Sequence, residues 1–214
     1  MGVSLSINKD IAVRHCKELP SLETQAGWKS RFKKVSLHDE WDNRRQIIKD
    51  TSWCILTKEV AEALGNWLKG FDLVIEPFAG TGHIAEHLRR VSGLSRKQYR
   101  AYDPCRSHWR SSERKNYGFT KSGCFNINLK KADVVVMTWP NYNENLAYRI
   151  ARKMVSGQWL VYNGEGSYGC TGDDQYHELL DNEFERFELF EDSLNEHHVR
   201  FQAIHDRWYI YRKR

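Results

Sequence analysis

Apolar residues recur along the chain in two rhythms. In "LTKEVAEALGNWL" they fall at Val60, Ala63, Leu64, Trp67 and Leu68, a spacing that predicts a helix capped by Thr57. The run "DLVIE", Asp72 to Glu76, is a short series of β-formers, as expected of a strand buried on both faces. His83 to Val91 returns to the helical rhythm, "QYRAYD" ending at Asp103 predicts a second strand, and "DVVVMT" from Asp133 to Thr138 predicts another. "NENLAYRIARKMV" is helical, "QWLVYN" from Gln158 to Asn163 is a strand, and "DQYHELLDNEF" is helical again. Near the end, "FERFELFE" reads as an aromatic strand and "DRWYIYRK", Asp206 to Lys213, alternates strongly, so the pair predicts a closing hairpin at a sheet edge. Strands alternating with helices across short loops predict an α/β fold, an open and mostly parallel sheet with helices on both faces.

Residues 1–52 lack that alternation. Trp28, Phe32, Val35, Leu37, Trp41 and Ile47 are scattered among Lys29, Arg31, Lys33, Lys34, Arg44 and Arg45. This segment reads as a basic and aromatic N-terminal extension to one domain over 53–214, with rings that either dock on the core or meet stacked bases and phosphates. At 214 residues with 40% hydrophobic content, the chain suits one packed domain despite a mean hydropathy of -0.70. Five cysteines without a CxxC pair, and a start without a basic-then-apolar segment, predict reduced thiols in a cytoplasmic protein. No apolar stretch approaches a membrane span. A net charge of +5 and a pI of about 8.9 favour polyanions without specifying one.

Candidate chemistry gathers in "VIEPFAGTGHIAEHL". In an open α/β sheet ligands sit beyond the carboxyl ends of the strands, and Gly80 and Gly82 let backbone approach a ligand there. "GTGHIA" fits the G-x-G-x-x-G/A form, with Asp103 about 20 residues on, where a ribose-binding acid belongs. That pattern alone leaves nicotinamide dinucleotides and other nucleoside cofactors level. Glu76 separates them, because a carboxylate at the end of the first strand repels a pyrophosphate and attracts a cation. S-adenosylmethionine carries an ammonium and a sulfonium and no phosphate.

"VIEPFAGTG" resembles the first motif of class I S-adenosylmethionine-dependent methyltransferases, in the D/E-P-F-x-G-x-G form found among amino-methylating enzymes. "RAYD" resembles their second motif and "DVVVMTWPNY" their fourth, while "LTKEVAEAL" is similar to the helix that precedes the first motif, with Lys58 where a proline is usual. Beyond about residue 50 the chain also resembles a widespread group of poorly characterised methyltransferase-like proteins whose fourth motif reads S-W-P-P-Y. The resemblance implies a Rossmann-like seven-stranded sheet with an antiparallel final strand. It implies S-adenosylmethionine as cofactor, held by Thr57, Glu76, Pro77, Phe78, Ala79, Gly80, Thr81, Gly82, Asp103 and Thr138, with Asn126 or Asn128 near the adenine. Methyl transfer is an in-line displacement, for which positioning contributes roughly 7–11 kcal/mol.

The acceptor cleft is expected at Thr138, Trp139, Pro140, Asn141 and Tyr142, with Glu165 lining it from "YNGEGSYGCTGDD". By resemblance, Thr138 or Asn141 accepts from an exocyclic amine and Trp139 or Tyr142 stacks on an extruded base. Trp139 after Thr138, and Asn141 in place of a second proline, depart from that pattern. Trp139 and Pro140 therefore also read as core packing, and the alternative function is a catalytically silent binder of the cofactor. Thr171 or Asp173 is expected to cap the following helix. A nucleic-acid acceptor would be met by the N-terminal arm and by the loops "SRKQYR" and "CRSHWRSSERK". His83 and His87 read as surface or satisfied helix residues rather than metal ligands, and Cys105 and Cys170 as small buried groups.

Overall fold

The computed structural model describes Trp41, Arg44, Arg45, Ile47, Ile48 and residues 51–104, 121–122, 127–201 and 203–214. Most of the N-terminal extension, Asn126, Cys105 and the loop "CRSHWRSSERK" lie outside the described residues.

The strands are β1 (Val74–Glu76), β2 (Tyr99–Asp103), β3 (Lys121–Ser122), β4 (Val134–Thr138), β5 (Trp159–Gly164), β6 (Phe184–Arg186) and β7 (Arg207–Lys213). Of these, β1, β4 and β5 are short apolar runs, each between a helical segment and the start of the next helix. They form one sheet in the order β3-β2-β1-β4-β5-β7-β6, in which β3 is a two-residue stub beside β2. β1 to β5 run parallel, with Val74 opposite both Tyr99 and Val134, and β7 runs antiparallel to β5 and β6. This is the expected Rossmann-like seven-stranded arrangement with an antiparallel final strand.

Successive strand residues point to opposite faces, so each face has its own core. Val74, Val134, Val136, Val161, Trp208 and Ile210 meet α1 (Lys58–Leu68) and α2 (His83–Ser92) on one side. Ile75, Val135, Met137, Leu160, Tyr162 and Tyr211 meet α3 (Leu146–Arg152) and α4 (Asp174–Glu183) on the other. Thr57 caps α1 by accepting from Val60 N–H at 3.1 Å. Gly65 lets α1 lie close on α2: a Cβ there would stand 2.6 Å from Val91 Cγ1.

Two expectations are corrected. "FERFELFE" is a strand only over Phe184–Arg186, and Glu188–Glu196 forms α5. The closing pair exists, but α5 is inserted between its strands, and β7 lies inside the sheet with β6 at the edge. Glu191 ties α5 to both strands: its fully buried carboxylate accepts from Arg186 Nε at 2.9 Å and from Ile210 N–H at 2.9 Å. Among the described residues no helix is long and apolar enough to cross a membrane.

Candidate functional site

β1, β2 and β4 end at one edge of the sheet, which brings Glu76, Asp103 and Thr138 together. Glu76 is completely buried at the end of β1, and its Oε2 accepts from the Tyr99 hydroxyl at 2.8 Å. Oε1 has no hydrogen-bond partner. Burial pushes the Glu76 pKa up to about 8; the Tyr99 and Thr138 hydroxyls favour the carboxylate and pull against this, while Asp103 adds to the rise.

After β1 the chain turns sharply under the edge. Ala79 N–H donates to Tyr102 O at 2.9 Å and Gly82 N–H to Ala79 O at 2.7 Å, with Gly80 at φ 52° and Gly82 at φ 85°. Glycine relieves the steric cost of both angles. A Cβ on Gly80 would meet nothing within 4 Å, so this turn faces open space. Asp103, almost fully buried, closes the turn by accepting from Gly80 N–H on Oδ2 at 2.8 Å.

That open space is a cavity of about 530 Å³. Phe78, Ala79, Gly80, Thr81 and Asp103 line one part, and Thr138, Trp139, Pro140 and Asn141 another. Trp41, Trp53 and Cys54 complete the wall, so residues on both sides of the boundary expected at 52 contribute to it. Of the other expected cofactor residues, Glu76, Pro77 and Gly82 are buried and do not line the cavity, and Thr57 is buried as the cap of α1, with its hydroxyl donating to His197 O at 3.0 Å. Asn128 Oδ1 accepts from Lys130 N–H, which makes it the cap of a short 3-10 turn.

The fourth-motif loop is held from several directions. Trp139 has φ 49°, a left-handed angle that costs a non-glycine residue about 1–2 kcal/mol. Its backbone N–H donates to Asn163 O at 2.8 Å, and its indole Nε1 donates to Asp206 Oδ2 at 3.0 Å. A hydrogen bond to a charged group contributes about 1.5–3 kcal/mol, enough to offset the strained angle. The indole stacks on Trp53 at 5.7 Å and an interplanar angle of 25°, and the buried Arg44 guanidinium sits 4.8 Å from its ring centroid. Burial lowers the Arg44 pKa, opposed by Asp206, Cys54 and Glu165. Asp206 is held below the usual carboxylate range, because His198, Arg44 and Trp139 together outweigh its burial.

Several polar atoms of this loop are engaged within the chain. Besides the indole, Asn141 Oδ1 accepts from Asn143 N–H at 3.2 Å and Pro140 O accepts from Gly172 N–H at 3.1 Å. Tyr142 is exposed and faces a neighbouring polar groove that shares Glu144 and Leu146 with the cavity. Glu165 is not on the cavity wall. Its Oε2 accepts from Cys170 N–H at 2.6 Å and its Oε1 from His205 N–H at 3.0 Å, which ties two loops together. Asp173 caps α4 by accepting from Tyr176 N–H, whereas Thr171 bonds Tyr162 and Glu165.

Sequence reasoning missed Arg44, Trp53 and Asp206, which meet Trp139 from distant parts of the chain; the alternation of "DRWYIYRK" marks a strand and gives no sign of what its first residue touches. Cys170 is exposed rather than buried. His83 and His87 are buried rather than superficial, with ring centroids 4.8 Å apart. Among the described residues no group of three or more metal-ligating side chains exists.

No family model matches the chain and no curated protein matches it. Among solved structures, human N-acetylserotonin methyltransferase in complex with SAM aligns with a TM-score of 0.45 at 12% identity, over 97% of this chain and 66% of that one. The Bacillus subtilis M1A22 tRNA methyltransferase TrmK aligns at 0.40 and 7% identity, over 74% of this chain and 67% of that one. A TehB-like SAM-dependent methyltransferase from Corynebacterium glutamicum aligns at 0.40 and 13% identity, over 73% and 89%. The chain spans less than two thirds of the human enzyme and 47% of a pericyclic reaction enzyme also matched.

Proposed function

We propose that this chain is an S-adenosylmethionine-dependent methyltransferase. The carrying observation is the single cavity that joins the Gly80 turn and Asp103 to the Thr138–Asn141 loop. The residues fit the cofactor: a turn with open space above Gly80 takes a nucleoside, Asp103 at the end of β2 accepts from ribose hydroxyls, and the unpartnered Oε1 of Glu76 offers a counter-charge below the turn. S-adenosylmethionine supplies the activated methyl group when bound. Phe78 to Thr81 with Asp103 hold the cofactor, and Thr138, beside Glu76, marks the boundary between the cofactor and acceptor halves.

The acceptor half is apolar and aromatic, lined by Trp41, Trp53, Trp139, Pro140, Leu146 and Ile204, which suits a flat ring, a nucleic-acid base among the possibilities. A nucleic-acid acceptor draws support from the net charge of +5. Calorimetric titration with S-adenosylmethionine and with NAD tests the cofactor. Transfer of a radiolabelled methyl group to pools of DNA, RNA, protein and metabolites tests the reaction. Binding of NAD alone overturns the assignment.

One observation favours the second reading, a cofactor-binding protein without catalysis. The side-chain oxygens expected to accept from an exocyclic amine already have partners within the chain, the Thr138 hydroxyl at Glu76 and Asn141 Oδ1 at Asn143 N–H. Bound cofactor with no transfer to any pool is its signature.

A further inference from the structure

The acceptor wall rests on a carboxylate that no motif marks. Asp206 lies immediately before β7, is 3% exposed, and reaches the fourth-motif loop 67 residues away in sequence. Its Oδ2 accepts from the Trp139 indole at 3.0 Å, and its Oδ1 lies 3.2 Å from His198 Nε2. The Trp139 backbone is held at φ 49° with its N–H donating to Asn163 O at 2.8 Å, and the ring turns from there. Its ring orientation is fixed by three neighbours: Asp206 at the indole nitrogen, Trp53 at one stacking contact, and Arg44 over the ring at 4.8 Å. Arg44 in turn is anchored by donating from Nη2 to Trp53 O at 2.7 Å. Of these neighbours only Asp206 bonds the indole directionally, so it decides the plane in which the ring meets the cavity.

We propose that Asp206 is a positioning residue for the acceptor half of the site: by holding the Trp139 indole through Nε1, it sets the plane of the aromatic wall against which the methyl acceptor lies. The proposal rests on the methyl-transfer reading. Asp206 does not line the cavity, so its effect passes through Trp139. It also gives "TWPNY" a reason for departing from the amine-holding pattern. Tryptophan stands there as a fixed flat surface, and the acid that fixes it comes from the residue just before the last strand.

The test compares Asp206→Ala, Asp206→Asn and Trp139→Phe in the full chain. Solvent exchange of the Trp139 indole N–H is followed by NMR, with its signal identified by loss in Trp139→Phe. S-adenosylmethionine affinity is measured by calorimetry, and labelled methyl transfer into the pools is expressed per bound cofactor. Asp206→Ala is expected to speed indole exchange and to lower transfer by about tenfold or more, the loss of one hydrogen bond to a charged group. Cofactor affinity should stay at the wild-type value. Asp206→Asn, which keeps an acceptor for the indole, should retain slow exchange and most of the transfer, and adding Asp206→Ala to Trp139→Phe should lower transfer no further. Slow exchange in Asp206→Ala overturns the proposal, as does wild-type transfer despite fast exchange. If Asp206→Ala fails to fold, Trp139→Phe carries the decision, since it removes the Nε1 donor and keeps a flat ring: lowered transfer at wild-type cofactor affinity is expected, and wild-type transfer overturns the proposal. A wild-type chain that binds no S-adenosylmethionine sinks the methyl-transfer reading and the acceptor role with it, and indole exchange then still decides whether Asp206 holds the ring.

Discussion

Glu76 shows how a residue can be legible in type and not in state. The motif puts an acid at the end of β1, where a standing negative charge would reject a pyrophosphate. In the fold it is completely buried and its pKa is pushed up to about 8, so without a cation beside it the acid form prevails at neutral pH. Its folded pKa lies above the ordinary value of 4.5, so its contribution to stability is complete below about 4.5 and is lost as the pH rises through 8. A cationic cofactor favours the ionised form, so binding should release a proton and tighten as the pH climbs toward 8. Calorimetry in buffers of different ionisation enthalpy will read that proton. Glu76→Gln should flatten both pH dependences, weaken S-adenosylmethionine binding by about tenfold or more, equivalent to about 1.4 kcal/mol, and leave the fold intact. A variant that binds as tightly as the wild type at pH 8 would remove Glu76 from the site. Gly80, Gly82 and Asp103 were equally legible, because the angles and contacts that need them are set within one turn or between adjacent strands. Asp206 was not, since its meaning comes from a tryptophan in the loop after β4, 67 residues away.

At the scale of elements, β1, β2, β4 and β5 could be read from short runs of apolar residues, which fit a strand covered on both faces and little else. α5 could not. "FERFELFE" alternates well enough for a strand, yet Phe187, Phe190 and Leu194 also fall on one helical face, and a local pattern does not choose between them. The choice is tertiary. β6 pairs only with Tyr211 to Lys213, which leaves the upstream edge of β7 open. α5 covers it with side chains: Glu191 takes the Ile210 N–H, and Asn195 brackets Trp208 by donating to its carbonyl at 2.8 Å and accepting from its N–H at 2.9 Å. An open edge with buried backbone groups is costly, and this helix removes it. Glu191→Ala should therefore destabilise the chain by about 1–3 kcal/mol, since it leaves the buried Ile210 N–H without its acceptor while the half-exposed Arg186 turns to solvent. Urea unfolding with an unchanged m-value is the measurement. A change below about 1 kcal/mol, the range of an exposed ion pair, would mean that α5 is held by its apolar face alone.

For the whole molecule, the alternation of strands and helices was sufficient to expect a parallel sheet covered on both faces, whereas the insertion of β7 between β5 and β6 is a long-range pairing with no local trace. The sheet order has a functional consequence, because it carries Asp206 to the same edge as Glu76, Asp103 and Thr138 and so makes cofactor turn and aromatic wall parts of one cavity. A ligand that enters this cavity and avoids the unfolded chain must stabilise the whole fold. At one hundred times its Kd the gain is about 2.7 kcal/mol, and for a chain of this length each kcal/mol raises Tm by about 2–4 °C, so S-adenosylmethionine should raise Tm by roughly 5–10 °C. Gly80→Ala separates stability from binding. Its Cβ meets no protein atom but must adopt φ 52°, so the unliganded Tm should fall by a few degrees while the ligand-induced rise is lost to a methyl group projecting toward the nucleoside. A full ligand-induced rise in Gly80→Ala, or a comparable rise with NAD in the wild type, would place the nucleoside elsewhere in the fold and dissolve the link between the glycine turn and the cofactor.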